Sequence, residues 1–260
     1  MTLDFSMQEN RVAPGEAFLA DTLPLSGHAG TQPDLFLRWN AVPRGAAVID
    51  VVVHLHGFSQ QGRDMPLAEK VRRSGLELSR RARPTLALLP RGNWIRHTWY
   101  DFPALLDGGL DTLVDYGLAR FGAALGCSVT LDRLILTAHS GGGMPAVDAI
   151  AGAHRAPDEF FVFDGLYGRA DDPLGGTARV AAWLDQRLAA EPERPGALRV
   201  VYIERQTGPF SRALGDLLAA RRAPPARYRV ERSAVPHAYV ADICGPQLLA
   251  RADADIDWSV

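Results

Sequence analysis

The chain has 260 residues, of which 47% are hydrophobic and 22% are charged, a composition typical of a globular protein that can bury a large core. The net charge of −2 and the pI near 6.4 give no electrostatic signature of a protein that binds nucleic acid or an anionic membrane. No run approaches the ~20 apolar residues of a membrane span, and residues 1–15 lack the features of a secretory signal. We therefore expect a cytoplasmic protein.

Three single residues stand out in the composition. Lys70 is the only lysine, and arginine carries the rest of the positive charge, which suggests a compositional bias rather than a functional signal. Cys127 and Cys244 are the only cysteines, and their spacing matches no metal-ligand pattern. The sequence leaves open whether these two cysteines pair.

Strands and helices alternate along most of the chain. Residues 1–15 are predicted to be a poorly ordered lead-in, and the β-prone segments 16–25 and 35–42 to form an antiparallel hairpin at a sheet edge. The apolar run 48–55 is typical of a buried parallel strand, and a helical pattern follows over about 65–81. The later predicted strands cover 85–89, 131–137, 160–163, 198–203 and 228–235; the later predicted helices cover 109–125, a segment opening after 143, 177–190, 211–222 and 237–251.

This alternation predicts a three-layer α/β/α sandwich with a mainly parallel sheet and an antiparallel hairpin at its N-terminal edge. No repeat or break in composition marks a second domain, so residues 1–260 are expected to form one domain. Residues 165–197 have room for little more than one helix, so no large cap domain is expected. The oligomeric state stays open.

A candidate nucleophile follows the apolar run 134–137. The sequence Ala-His-Ser-Gly-Gly at 138–142 leads from a strand into a helical pattern, an arrangement that holds a serine at a sharp turn above the sheet. Such a turn needs small residues two positions before and after the serine, here Ala138 and Gly142. The amides that open the helix stabilise negative charge beside Ser140.

A base and an acid follow in chain order. A serine hydroxyl is a weak nucleophile and needs a neighbouring base, and His237 follows the last predicted strand. The imidazole in turn needs a carboxylate to orient it. Asp164 ends the strand after the serine's helix, which gives the chain order Ser140, Asp164, His237.

The segment His56-Gly57-Phe58 follows the strand 48–55 and is predicted to complete an oxyanion hole. Amide donors must lie where the oxyanion forms, and the N–H groups of Gly141 and Phe58 are the candidates, with Gly57 permitting close approach of the backbone. His56 is expected to hold this loop by hydrogen bonds. His54 and His56 have no third ligand beside them, so neither a metal nor any other cofactor is expected.

Aromatic residues cluster past two other strand ends, where a substrate pocket is usually built. Most of them lie in the loop 91–108, which is expected to roof an otherwise open pocket. The predicted lining residues are Trp94, Trp99, Tyr100 and Tyr167. The alternative is that the aromatic residues at 94–102 belong to the ordinary core.

The motifs at 56–58 and 138–142, with a lone histidine opening the last helix, resemble those of the α/β-hydrolase superfamily, in particular its small serine hydrolases and esterase-like members. The resemblance covers the element order from about 35 to 251. The motifs are specific for the fold and the triad and not for the substrate. The leading hypothesis is hydrolysis of a carboxylic ester through an acyl-enzyme, with a small-molecule ester or related acyl compound as substrate. An amidase, a peptidase, an acyltransferase, or a catalytically inactive scaffold that acts as a binding module remains an alternative.

The resemblance leaves the acid open. Most members of the superfamily place it after the strand that here ends near 203, where Glu204 lies. Some place it one strand earlier, which corresponds to Asp164.

Overall fold

The computed structural model describes residues 7–8, 11–19, 34–45, 48–58, 64–95, 99–168 and 176–259. Within these ranges one eight-stranded sheet dominates the fold. Its strands are β1 (Gly15–Leu19), β2 (Leu35–Trp39), β3 (Val48–Leu55), β4 (Thr85–Pro90), β5 (Thr130–His139), β6 (Glu159–Phe163), β7 (Ala197–Tyr202) and β8 (Tyr228–Arg232). The α-helices are α1 (Leu67–Val71), α2 (Gly109–Leu125), α3 (Gly143–Gly152), α4 (Thr177–Ala190), α5 (Gly208–Ala220) and α6 (Val240–Ala250).

The spatial order of the strands is β1-β2-β4-β3-β5-β6-β7-β8. The six strands from β4 to β8 in this order are parallel, whereas β2 is antiparallel to both β1 and β4. The fold-class prediction, a mainly parallel sheet with an antiparallel N-terminal hairpin at its edge, is therefore confirmed. Residues 20–33, which include part of the predicted hairpin, lie outside the described ranges.

The central strands are largely apolar because both faces of the sheet are covered. In β3, Val51 and Val53 belong to the core on one face, while Val52 belongs to the core on the other. The first core is closed by α2, α3, α4 and α5, and the second by α1 and α6. Alternate side chains of one strand thus pack against different helix layers, which explains the continuous apolar runs.

Part of the predicted poorly ordered lead-in forms strands. Arg11–Val12 pairs with both Met7–Gln8 and Val42–Pro43 in a small antiparallel sheet, and Val12 is buried. The sequence of this segment is mixed and polar, so its local pattern does not predict a strand. The strand pairing depends on residues 30 positions away.

The predicted helix over 65–81 is also wrong in length, since α1 ends at Val71. The Ser74 hydroxyl donates to the Val71 carbonyl and accepts from the Leu76 amide. Serine thereby offers the backbone an alternative to the next helical turn. Lys70, near the end of α1, lies beside the loop that follows β3.

The sheet register brings the predicted site together. Ala138 in β5 pairs with Leu55 in β3, and His139 pairs with Phe163 in β6. The residues that follow these pairs leave the sheet at its carboxyl edge, where ligands bind in open α/β sheets.

Between β6 and β7 the described residues form one helix, α4, which packs beside α3 and α5 as a crossover helix of the layer rather than a cap over the sheet. In the described part of the chain, no helix has the length and apolar character needed to cross a membrane.

Candidate active site

Ser140 lies at a strained turn between β5 and α3. Its φ of +52° falls in the left-handed region, which side chains other than glycine, asparagine and aspartate seldom adopt. One turn of 3₁₀ helix, Ser140–Gly142, connects it to α3. The sharp turn predicted from the small residues around the serine is therefore present, and it holds the serine at the carboxyl edge of β5.

Gly142 is required by the close approach of this turn to β3. A β-carbon at Gly142 would lie 2.3 Å from the Leu55 carbonyl oxygen, which is a backbone atom. Neither side of the contact can move without displacing a strand end. The small residue two positions after the serine thus lets the turn pack against β3.

We expect Gly142→Ala to lower the free energy of unfolding by about 1–3 kcal/mol, the usual range for an overpacked core, and to impair any activity of Ser140. The matched control is Gly215→Ala in α5, where a β-carbon would meet only ordinary contacts, the nearest at 3.6 Å. Because alanine is the better helix former, this variant should gain about 0.5–1 kcal/mol. Urea unfolding of both variants checks the pair, and equal effects at the two positions would contradict the close-approach argument.

His237 lies within hydrogen-bond distance of both other predicted residues. Its Nε2 is 2.7 Å from the Ser140 Oγ, and its Nδ1 is 2.6 Å from Asp164 Oδ2. The chain reaches this position from the end of β8, where the Ser233 amide donates to the Tyr202 carbonyl of β7. A 3₁₀ turn, His237–Tyr239, then leads into α6, which packs on β6 and β7.

Asp164 is buried at the end of β6, and its φ of +49° turns the chain sharply. While Oδ2 faces His237, Oδ1 accepts hydrogen bonds from the Ile203 amide at 3.0 Å and from the Thr207 hydroxyl. Burial alone would raise the pKa of this carboxyl, but the hydrogen bonds from His237, Thr207 and Ile203 together lower it below its ordinary value. Asp164 is thus held as a carboxylate.

Glu204, the other acid candidate, lies in a different environment. Its carboxylate pairs with Arg212 of α5, and its side chain is 37% exposed. The structure therefore brings Asp164, and not Glu204, to His237.

The oxyanion-hole candidates lie side by side. A β-carbon at Gly57 would lie 2.7 Å from the Ser140 β-carbon, and one at Gly141 would lie 2.0 Å from the Phe58 ring. The loop after β3 therefore packs directly on the serine turn, with the Phe58 ring, 45% exposed, over Gly141. That the Phe58 and Gly141 amides bind an oxyanion remains a prediction.

His56 holds this loop through both ring nitrogens. Its Nε2 accepts from the Gly92 amide at 3.0 Å, and its Nδ1 is 3.0 Å from the Gly57 carbonyl. Burial, and next the charge of Lys70, keep the pKa of His56 well below its ordinary value. The ring is thus neutral, and because Nε2 accepts, Nδ1 carries the proton and donates to Gly57.

His139 and Thr207 support the site, although no motif in the sequence predicts this role for either residue. Burial, and next the neighbouring His237, lower the pKa of His139 to about 4, so the ring is neutral. Its Nε2 lies 2.9 Å from the His237 carbonyl and donates to it. Thr207, just before α5, fixes one oxygen of Asp164. Both contacts join residues far apart in sequence, and no local pattern could have signalled them.

Of the predicted pocket residues, Tyr100 does not line an open pocket. It is 1% exposed, its hydroxyl donates to Asp64 at 2.7 Å, and its ring lies against His56. Tyr167 is half-buried, and its hydroxyl donates to the Asp164 carbonyl at 3.4 Å. Burial raises the pKa of this phenol, while the neighbouring Ser140 hydroxyl lowers it in part. The side chains of Trp94 and Trp99 lie outside the described part of the chain.

No protein-family model matches the sequence, and no curated protein matches it either. Solved structures do resemble it. FphF, a fluorophosphonate-binding serine hydrolase of Staphylococcus aureus, superposes with a TM-score of 0.57 at 13% identity over 94% of this chain and 99% of FphF. A ferulic acid esterase superposes with a TM-score of 0.53 at 15% identity over 84% of this chain and 92% of the esterase. The chain has the α/β-hydrolase fold.

Proposed function

We propose that this protein is a serine hydrolase that cleaves a carboxylic ester through an acyl-enzyme. The observation that carries the proposal is the continuous hydrogen-bonded chain from Ser140 through His237 to Asp164, with distances of 2.7 and 2.6 Å. The serine hydrolase and esterase named among the similar structures give the same reaction class by analogy of fold.

The hydrogen bonds support one arrangement of the protons before reaction. Asp164 is a carboxylate and can only accept, so Nδ1 of His237 carries a proton and donates it. Its Nε2 is then the acceptor for the Ser140 hydroxyl. This is the tautomer in which the imidazole acts as a general base.

In the proposed reaction, Nε2 of His237 takes the proton as the Ser140 oxygen attacks the ester carbonyl. The N–H groups of Phe58 and Gly141 stabilise the oxyanion of the tetrahedral intermediate, and Asp164 stabilises the imidazolium. His237 then delivers the proton to the leaving alcohol. Water attacks the acyl-enzyme by the same steps in reverse, which restores the serine.

The test is a panel of p-nitrophenyl esters of increasing acyl length, with the matching p-nitroanilides run beside it. We expect hydrolysis of the esters and little of the anilides, because an ester has the better leaving group and needs less protonation of it. Equal cleavage of esters and anilides would favour an amidase, and product formed only when an alcohol or amine acceptor is supplied would favour an acyltransferase. A folded protein that turns over nothing would favour the binding module.

A further inference from the structure

Lys70 occupies an unusual place for the only lysine of the chain. Among 28 lysine and arginine residues it is the single lysine, and it is 6% exposed, at the end of α1. Its ammonium donates to the Gly57 carbonyl at 2.8 Å and to the Phe58 carbonyl at 3.1 Å. Charged side chains are seldom buried in this way, so the residue needs an explanation beyond composition.

The two carbonyls belong to the loop assigned to the oxyanion hole. The Gly57 carbonyl and the Phe58 N–H are the two ends of one peptide group, and in a trans peptide they point in opposite directions. Lys70 and His56 both donate to this carbonyl. They therefore fix the direction of the Phe58 N–H, which faces away from them.

We propose that Lys70 is a positioning residue that aims and polarises the Phe58 amide toward the oxyanion. The inference rests on the proposed function, because Lys70 would hold one of the two amide donors that the proposed reaction uses. A positive charge at the oxygen end of the peptide makes its N–H a stronger donor. Lysine suits this place better than arginine because a compact ammonium can meet two neighbouring carbonyls, whereas a planar guanidinium matches forked acceptors.

The surroundings of Lys70 make the group titratable near neutral pH. Burial is the main cause that lowers its pKa, to about 7; Arg91 adds to the fall, while Asp64 and Glu69 oppose it. Asp64 is already engaged by Arg91 at 2.7 Å. Among the described residues, no carboxylate lies within ion-pair distance of Lys70.

Uncharged rings also lie near Lys70. The ammonium lies 4.2 Å from the centre of the Tyr100 ring, and burial raises the pKa of that phenol to about 12. The nearby His56 and His139 are uncharged near pH 7. A cavity of about 440 Å³ borders Lys70, Gly57 and His139 and gives the proton a route to solvent.

A rise in pH should lower the activity but make folding more favourable. These opposite pH dependences separate a catalytic effect from a structural one. As the pH rises through about 7, Lys70 loses its proton, the polarisation of the Phe58 amide weakens and acylation should slow. From about pH 7 to the ordinary lysine value of about 10.4 the unfolded chain binds more protons than the folded one, so this group makes folding more favourable as pH rises. Slower acylation with no loss of stability cannot arise from unfolding.

The first measurement uses the single lysine directly. In protein labelled with ¹³C at lysine Cε, one side-chain signal should appear and should titrate with a midpoint near pH 7. The rate of Ser140 acylation by a p-nitrophenyl ester, followed as the initial burst so that later steps do not limit it, should fall with the same midpoint. A lysine signal that titrates near 10, or an acylation rate that stays level from pH 7 to 9, overturns the proposal.

The second measurement uses Lys70→Met with Arg72→Met as the matched control, which removes an exposed positive charge two residues further along. We expect Lys70→Met to lower kcat on the order of 10-fold, which is less than the effect of losing a whole oxyanion donor. KM should stay nearly unchanged, and the fall in acylation rate above about pH 7 should disappear. Lys70→Arg, which keeps its charge at every pH tested, should restore part of kcat and should also show no fall in acylation rate above about pH 7. Arg72→Met should behave as wild type.

The outcomes separate the two proposals. If wild type neither forms an acyl-enzyme nor hydrolyses esters, the proposed function fails, whatever Lys70 does. If wild type is active and folded Lys70→Met keeps its kcat and its pH profile, only the role of Lys70 fails. If Lys70→Met does not fold, the titration of the lysine signal and the pH dependence of wild-type acylation still test the role of Lys70.

Discussion

Ser140→Ala should abolish covalent labelling by a fluorophosphonate probe, which should modify wild type once per chain at this residue. The probe reacts only with a serine whose proton can be taken as it attacks, and the Ser140 Oγ is 2.7 Å from His237 Nε2. Alanine removes the attacking oxygen and nothing else. Mass spectrometry of the intact protein and of its tryptic peptides gives the stoichiometry and the site.

The control is Ser128→Ala, which changes an exposed serine beyond the end of α2 and should leave labelling complete. The thermal unfolding of Ser140→Ala should stay close to that of wild type, because alanine and serine are strained to a similar degree at positive φ. A folded wild-type protein that stays unlabelled would contradict the hydrolase proposal and favour the binding module.

The sequence predicts the positions of Ser140, Asp164 and His237 because each follows a segment whose pattern is local. Apolar runs mark the strands, and the alternation with helices makes the strands parallel, so that residues after the strands gather at one edge. The pairing of His139 with Phe163 then places Ser140 and Asp164 next to each other. Local sequence patterns are therefore enough to predict this part of the site, without information on contacts between residues far apart in the chain.

The choice of acid and the role of Lys70 depend on contacts that no local pattern records. Asp164 reaches His237 through a positive φ, which sequence alone does not distinguish from an ordinary turn residue. Lys70 contacts two carbonyls of the loop after β3, and no local pattern records these contacts. The helix that contains Lys70 ends at Val71, whereas the periodicity of this segment predicts a longer helix. The Ser74 side chain ends that helix, and this effect is invisible to hydrophobic periodicity.

Asp164→Asn should lower kcat by on the order of 10⁴, the loss found when the orienting carboxylate of other Ser-His-Asp sites becomes an amide. The surroundings of Asp164 explain why the effect should be as large here. The Ile203 amide and the Thr207 hydroxyl both donate to Oδ1, so an asparagine must place its carbonyl oxygen there and turn its NH₂ group toward His237. His237 Nδ1 then has to accept, its proton moves to Nε2, and the ring can no longer take a proton from Ser140.

The matched control is Glu204→Gln, which also replaces a carboxylate by an amide. Because Glu204 pairs with Arg212 at a partly exposed position, and exposed ion pairs contribute about 0–1 kcal/mol, this variant should keep kcat within about 3-fold of wild type and unfold at nearly the same temperature. The assay is the hydrolysis of p-nitrophenyl acetate, with circular dichroism to show that both variants fold. Near-complete loss in Glu204→Gln with activity retained in Asp164→Asn would transfer the acid to Glu204, and it would do so without altering the assignment of Ser140 and His237.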